Sequence, residues 1–384
     1  MSTAYLNAGK VKEGILLIRI NLGQGGWRIS RKLRKKEHLE YALKTSQLPA
    51  ENGFSDIFLV YDALPDLNFK QIDTSLEFLK KKLKAPLLIN AMTGGHPEVK
   101  QINRSLAAVA ARAGIAMAVG SQTAGLEDPQ VRDTYRIARD ENPAGVLLAN
   151  LSALAAPPMV KEAVEMIEAD GVQLHLNVAQ ELAMPEGDRN FRGALANIEK
   201  ISALSPVPVI VKEVGFGLSR EAVRKIYEAG VRHIDISGKG GTDFIRIEYL
   251  RSGKEYRDKF RNIGIPAASS LLEALSLDLP LTVIASGGFR DGSDLACAFA
   301  LGAGLVGMAR HFLQVLIEGS EQELEKRVEI IIDDLRRTMM MAGAANLREL
   351  AEKPVIITGG TAEWLIRRGI DPNRYSLPGH GRKN

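Results

Sequence analysis

The chain has 384 residues, 45% of them hydrophobic and only 5% aromatic, with a formal net charge of +4 and a pI near 9.0. Lysines and arginines are spread along it and few aromatics are available to stack on bases, so a nucleic-acid partner is excluded and the surplus cation is read as serving an anionic small molecule. One cysteine, Cys297, excludes an intramolecular disulfide. It suits a reducing compartment and, within an apolar helical run, reads as core packing.

No uncharged apolar run reaches the ~18 residues of a membrane span, so no membrane partner is expected. Lys10, Lys12, Glu13 and Arg19 interrupt any secretory signal, and a cytoplasmic location is the expectation.

Residues 1–30 are rich in glycine and lack periodicity, and are expected to form a flexible arm ahead of one domain over residues 31–384. A basic run at 31–36 precedes His38, and the stretch to residue 85 is expected to cover one end of the domain. Eight short apolar runs follow, at 86–91, 114–119, 145–149, 172–176, 207–211, 232–236, 281–285 and 304–306. Helical patterns occupy 98–113, 130–140, 160–169, 194–204, 219–229, 267–277, 291–301 and 321–341, with Ser219 as an N-cap. Strands separated by helices imply parallel βαβ units, and eight of them predict an α/β fold of the (β/α)8 TIM-barrel class with an N-terminal extension and rim insertions. A charged insertion at 248–265, after the sixth strand, is expected to be a mobile lid.

Barrel enzymes carry function at the C-terminal ends of their strands, and here nearly every such end is polar or glycine-rich. The densest is the fourth, GVQLHLNVAQELAMPEGDRNF at 171–191. Period-2 alternation sets Gln173, His175 and Asn177 on one face, opposite Val172, Leu174 and Leu176, and a ligand is the expected partner of that polar face. Glu181 is the best metal candidate, because one carboxylate beside substrate phosphates suffices for Mg²⁺, whereas six histidines without a His/Cys cluster argue against zinc. Lys212 ends a strand buried on both faces, so its ammonium needs an electron-rich ligand, a Schiff-base role, or an ion pair with Asp235 or Glu181. SGGFRDG at 286–292 and GMAR at 307–310 lie after the seventh and eighth strands, where barrels commonly bind phosphate, and Arg290 could add a charge-assisted bond.

MTGG at 92–95, AGIAMAVGSQ at 113–122, NLSA at 150–153, QLHLN with QE and MPEGDRNF at 173–191, VKEVGFG at 211–217, SGKGGTDF with IE at 237–248 and ASGGFRDG at 285–292 together resemble the type 2 isopentenyl diphosphate isomerases, FMN-dependent barrel enzymes. The resemblance runs from about Arg34 to Met341. It implies interconversion of isopentenyl and dimethylallyl diphosphate in isoprenoid biosynthesis, with reduced FMN as acid/base cofactor, Mg²⁺ on the diphosphate and NADPH as flavin reductant. It further implies a symmetric homo-oligomer, a tetramer or octamer.

Position by position, the resemblance assigns Ala91, Met92, Thr93, Ser121, Asn150, Lys212, Thr242, Gly288, Arg290, Ala309 and Arg310 to FMN. Arg34, Lys35, Ser121, Gln122, His175, Asn177 and Gln180 would hold substrate, and Glu181 the metal. Gln180, Glu248 and His175 are the expected catalytic residues, Glu248 as a proton relay. The phosphate loops alone would equally suit another FMN barrel enzyme, an oxidase or dehydrogenase of a hydroxy acid or dihydropyrimidine.

Overall fold

In a strand covered on both faces, successive side chains must be apolar on the helix side and fill the barrel on the other, and all eight predicted runs obey that rule. The computed structural model describes residues 52–253 and 262–379, with Tyr41 and Phe260. It opens with β1 (Ile57–Leu59), then a hairpin of β2 (Leu76–Phe78) and β3 (Lys81–Leu83). The barrel strands are β4 (Leu87–Ile89), β5 (Ala116–Ala118), β6 (Leu147–Ser152), β7 (Gly171–His175), β8 (Val209–Lys212), β9 (His233–Asp235), β10 (Thr282–Ser286) and β11 (Leu305–Met308). They are parallel neighbours in chain order, and the β11 to β4 pairing closes the ring. A last strand, β12 (Val355–Ile357), pairs antiparallel with β1 outside the barrel.

The core has two parts. Outward residues such as Leu87, Leu147, Val172, Val211 and Ile234 pack with the helices. Inward residues Leu88, Leu148, Ile210, Ile284 and Leu305 pack with Phe78 and Leu83, so the β2–β3 hairpin plugs one end of the barrel. Gly171 belongs to this layer, since a Cβ there would press on Leu79, Ile210 and Leu148. Two residues further along six of the eight strands the inward side chain is polar: Asn90, Asn150, Gln173, Lys212, Asp235 and Ser286, all buried. The strand period thus stacks a polar layer on an apolar one, and the site lies on the polar layer.

The helices Ala194–Leu204 and Glu321–Met341 match the expected bounds, and Ser219 Oγ accepts from the Ala222 N–H at 3.3 Å as the anticipated cap. Cys297 packs against the outer core, with burial pushing its thiol up to about 12. Three expectations change. β6 extends to Ser152, so Asn150 stands inside a strand and not in the loop beyond it. The expected lid opens with a regular helix, Phe244–Arg251, in which Ile245, Ile247 and Glu248 are buried; residues 254–259 and 261 lie outside the described residues. The loop after β11 leads at once into an unforeseen helix, Arg310–Glu318. The expected arm, Arg34, Lys35 and His38 also lie outside the described residues. No helix among the described residues is long and apolar enough to cross a membrane.

Candidate active site

A cavity of about 680 Å³ opens over the polar layer at the C-terminal ends of the barrel strands, within the usual range for ligand pockets of roughly 300–1,000 Å³. Every residue assigned to FMN from the sequence lines it: Ala91, Met92, Thr93, Ser121, Asn150, Lys212, Thr242, Gly288, Arg290, Ala309 and Arg310. So do His175, Asn177, Gln180 and Glu181.

Gln122 does not line this cavity. It is fully buried, its Nε2 donates to the Ala163 carbonyl at 2.9 Å and its Oε1 accepts from the Asn150 N–H, so its side chain braces β6 and is not brought to the cavity with the other expected substrate residues. Glu248 is also fully buried and stands behind the cavity wall. Gln180 Nε2 donates to Glu248 Oε1 over 3.4 Å, and Arg251 Nε donates to Glu248 Oε2 at 2.6 Å. Gln180 thus links Glu248 to the cavity.

The barrel floor is a hydrogen-bonded chain. Asn90 Nδ2 donates to Asp235 Oδ2 at 2.6 Å, Gln173 Nε2 to Asn90 Oδ1 at 3.0 Å and Asn150 Nδ2 to Gln173 Oε1 at 2.9 Å. The chain reaches His175, whose Nδ1 lies 2.9 Å from Asn150 Oδ1. Gln173 was expected to meet a ligand. Its partners are instead these neighbouring amides, which satisfy a fully buried group that would be costly unpaired.

Lys212 is 5% exposed, and its Nζ donates to the Glu213 carbonyl at 2.7 Å. Among the described residues it forms no ion pair, so the pairing with Asp235 or Glu181 is not made. A buried ammonium at the cavity wall without a carboxylate is a place for an electron-rich group. Glu213, its chain neighbour, turns one carboxyl oxygen back to accept from the N–H groups of Val214, Gly215 and Phe216. Burial pushes its carboxyl up to about 7, against those bonds and the Lys212 charge.

After β10, two strands on from Lys212, Gly287 and Gly288 adopt positive φ, and a Cβ on either would overlap the Gly238 or Gly240 carbonyl. Only glycine lets these two turns stack so closely. Beside them the helix Arg310–Glu318 begins at the cavity wall with no side-chain cap on its first turn, an arrangement suited to a phosphate. Burial holds Arg310 below the ordinary arginine value; Asp243 opposes that shift and Arg246 reinforces it. His311 also lines this wall and its buried Nε2 is unpartnered among the described residues. Arg290 is placed differently from expectation: its guanidinium is held by both oxygens of Asp294, at 3.1 and 3.2 Å.

Glu181 Oε1 accepts from Asn177 Nδ2 and Oε2 from the Asp188 N–H, each at 2.8 Å. Each oxygen keeps a lone pair for a cation. No group of three or more His, Cys, Asp or Glu that could hold a metal occurs among the described residues, so a cation here would depend on Glu181, water and the ligand's own oxygens.

Several lining or supporting residues were not found from sequence. Asn90 obeys the same inward alternation as Gln173, and applying the period to β4 would have found it. Asn52, whose Nδ2 donates to the Gly288 carbonyl at 2.8 Å, lies 236 positions away and gave no local signal.

Residues 130–357 match the model of the FMN-dependent dehydrogenase family, which defines the class as an FMN-dependent α/β barrel. The chain is 49% identical over 340 residues to an isopentenyl-diphosphate delta-isomerase of Moorella thermoacetica, covering 88% of this chain and 97% of the relative. It is 46% identical over 352 residues to the protein of that name from Bacillus licheniformis, covering 91% and 100%. The chain belongs to the isopentenyl-diphosphate delta-isomerase family, in its FMN-dependent type 2 branch. Among solved structures it is similar to mandelate oxidase with (S)-2-phenylpropionate, at a TM-score of 0.63 and 17% identity over 84% of this chain and 94% of that one, a likeness of fold.

Proposed function

We propose that this chain interconverts isopentenyl diphosphate and dimethylallyl diphosphate, with reduced FMN in the cavity, Mg²⁺ on the diphosphate and NADPH as the source of reducing equivalents. The observation that carries the reading is the buried Lys212 ammonium, unpaired by any carboxylate among the described residues, at the wall of a cavity that a glycine turn and the start of a helix also line.

Held there, reduced FMN supplies an electron-rich ring with a nitrogen able to exchange a proton. Lys212 would stabilise negative charge on its pyrimidine edge. The Gly287–Gly288 turn, Arg310 and the helix it begins would take its phosphate. Isomerisation adds a proton at one end of the alkene and removes one at the other, with no net redox change. The developing cation demands a pocket that excludes water and donors that keep the diphosphate from leaving. Glu181 would seat the Mg²⁺, while His175, Asn177, Ser121, Arg34 and Lys35 would hold the diphosphate. Gln180, backed by Glu248, sits where a proton could pass between the cavity and the buried carboxyl.

Proton NMR of isopentenyl diphosphate with enzyme, FMN, Mg²⁺ and NADPH tests the reading. The isomerase forms dimethylallyl diphosphate while consuming only catalytic NADPH. Anaerobic flavin reduction in step with a hydroxy acid, without isomerisation, would replace it by an oxidase or dehydrogenase.

A further inference from the structure

The loop that follows the Glu181 helix is folded round a single side chain. Helix Val178–Ala183 is only six residues long, so the carbonyls of its last turn need partners from outside it. Arg189 reaches back to supply them: its Nη1 donates to the carbonyls of Glu181, Gly187 and Asp188, and its Nη2 to that of Met184, all within 3.1 Å. Four oxygens carrying partial negative charge would repel one another there without a cation among them. The loop also passes so close to the helix that a Cβ on Gly187 would fall 2.0 Å from the Glu181 carbonyl oxygen. What this shape delivers is the Asp188 N–H, which meets Glu181 Oε2 at 2.8 Å while Asn177 Nδ2 holds Oε1. Arg189 itself is exposed and does not line the cavity, whereas Glu181 and Asp188 do.

We propose that Arg189 is a positioning residue for the metal seat: by gathering these carbonyls it fixes the loop at 184–188, and with it the Asp188 N–H that aims the Glu181 carboxylate. Its charge alone would act in the opposite sense. A cation near bound Mg²⁺ repels it, so an arginine serving only as a surface charge would weaken the metal, and its removal would strengthen binding. The inference deepens the isomerase reading and rests on it for Glu181 as the seat of Mg²⁺.

The test titrates the FMN-loaded enzyme calorimetrically with inorganic pyrophosphate, with and without Mg²⁺, which reads the metal seat without turnover. In the wild type Mg²⁺ should tighten pyrophosphate binding. In Arg189→Met that tightening should shrink about tenfold, as expected for a group that orients a metal's ligand, with metal-free binding and FMN content unmoved. An unchanged or larger tightening overturns the proposal. Should Arg189→Met fail to fold, Gly187→Ala decides in its place: it forces the same loop off the helix with every charge kept, and the same loss is expected. Glu181→Gln separates the proposal from the reading beneath it. No tightening in the wild type, or a full one in Glu181→Gln, sinks the metal reading; loss in Glu181→Gln but not in Arg189→Met sinks only the role of Arg189.

Discussion

Lys212 and Glu213 are adjacent in sequence yet turn apart: the lysine ammonium takes the glutamate's main-chain oxygen at 2.7 Å, while the glutamate carboxyl folds back on the N–H groups of Val214, Gly215 and Phe216. The carboxyl thus serves the turn and leaves the ammonium to the cavity. In the folded state Glu213 keeps its proton to about pH 7, against an ordinary value of 4.5. Between those values the folded protein binds more protons than the unfolded chain, so the contribution of Glu213 is full below the lower value and is lost as pH rises through the upper one. Glu213→Gln removes the linkage while keeping an oxygen for the turn. Its thermal midpoint should gain on the wild type between about pH 5 and about pH 8. Parallel pH profiles for the two proteins would contradict this.

Removing the ammonium tests the other half of the pair. Lys212→Met deletes a buried charge from the polar layer, so the protein without flavin should be no less stable than wild type. FMN should bind about tenfold more weakly, and the flavin's reduction potential should become more negative, because negative charge on the reduced ring loses its counter-ion. Titration of visible absorbance and a dye-linked potential measurement check both.

Arg251 joins Glu248 to Glu186, and the Arg251 and Glu248 side chains are 2% and 0% exposed. Breaking a buried pair leaves the remaining charge without compensation, so Arg251→Met should cost about 3–5 kcal/mol in chemical denaturation. Adding Glu248→Gln should recover part of that loss, since the fully buried carboxylate that lost its Arg251 partner is then removed. Additive losses would show that the two side chains do not act as a pair.

The barrel was legible because its strands are short apolar runs separated by helical ones, a pattern set by local periodicity. Val172, Leu174 and Gln173 were sorted to the correct faces by period alone. The partner of Gln173 was not legible, because Asn90 stands 83 positions away and meets it only once the barrel closes. Gln122 misled for a related reason: it sits in the motif beside Ser121, yet the backbone turns its amide toward Ala163 and away from the cavity. Arg290 followed the motif into the right loop, where Asp294, one helical turn on, captured it. Sequence thus located the wall of the site, while side-chain direction depended on contacts made by closure of the barrel.

Glu181 provides the last test, at the junction of metal and loop. Its two oxygens are already oriented by Asn177 and by the Asp188 N–H, so the carboxylate is held toward the cavity before any cation arrives. Glu181→Gln sets an NH₂ group against one of those donors and removes the only charge that the residue offers a cation. The Mg²⁺ concentration needed for half-maximal activity should rise by about tenfold or more, with kcat falling alongside. FMN content should stay at the wild-type level, because the flavin would be held by Lys212, the glycine turn and the helix beginning at Arg310. Magnesium titrations of activity, run beside the visible spectrum of each preparation, separate the two effects. Unchanged Mg²⁺ dependence would remove Glu181 from the metal site, and loss of the yellow colour would instead assign it to the flavin.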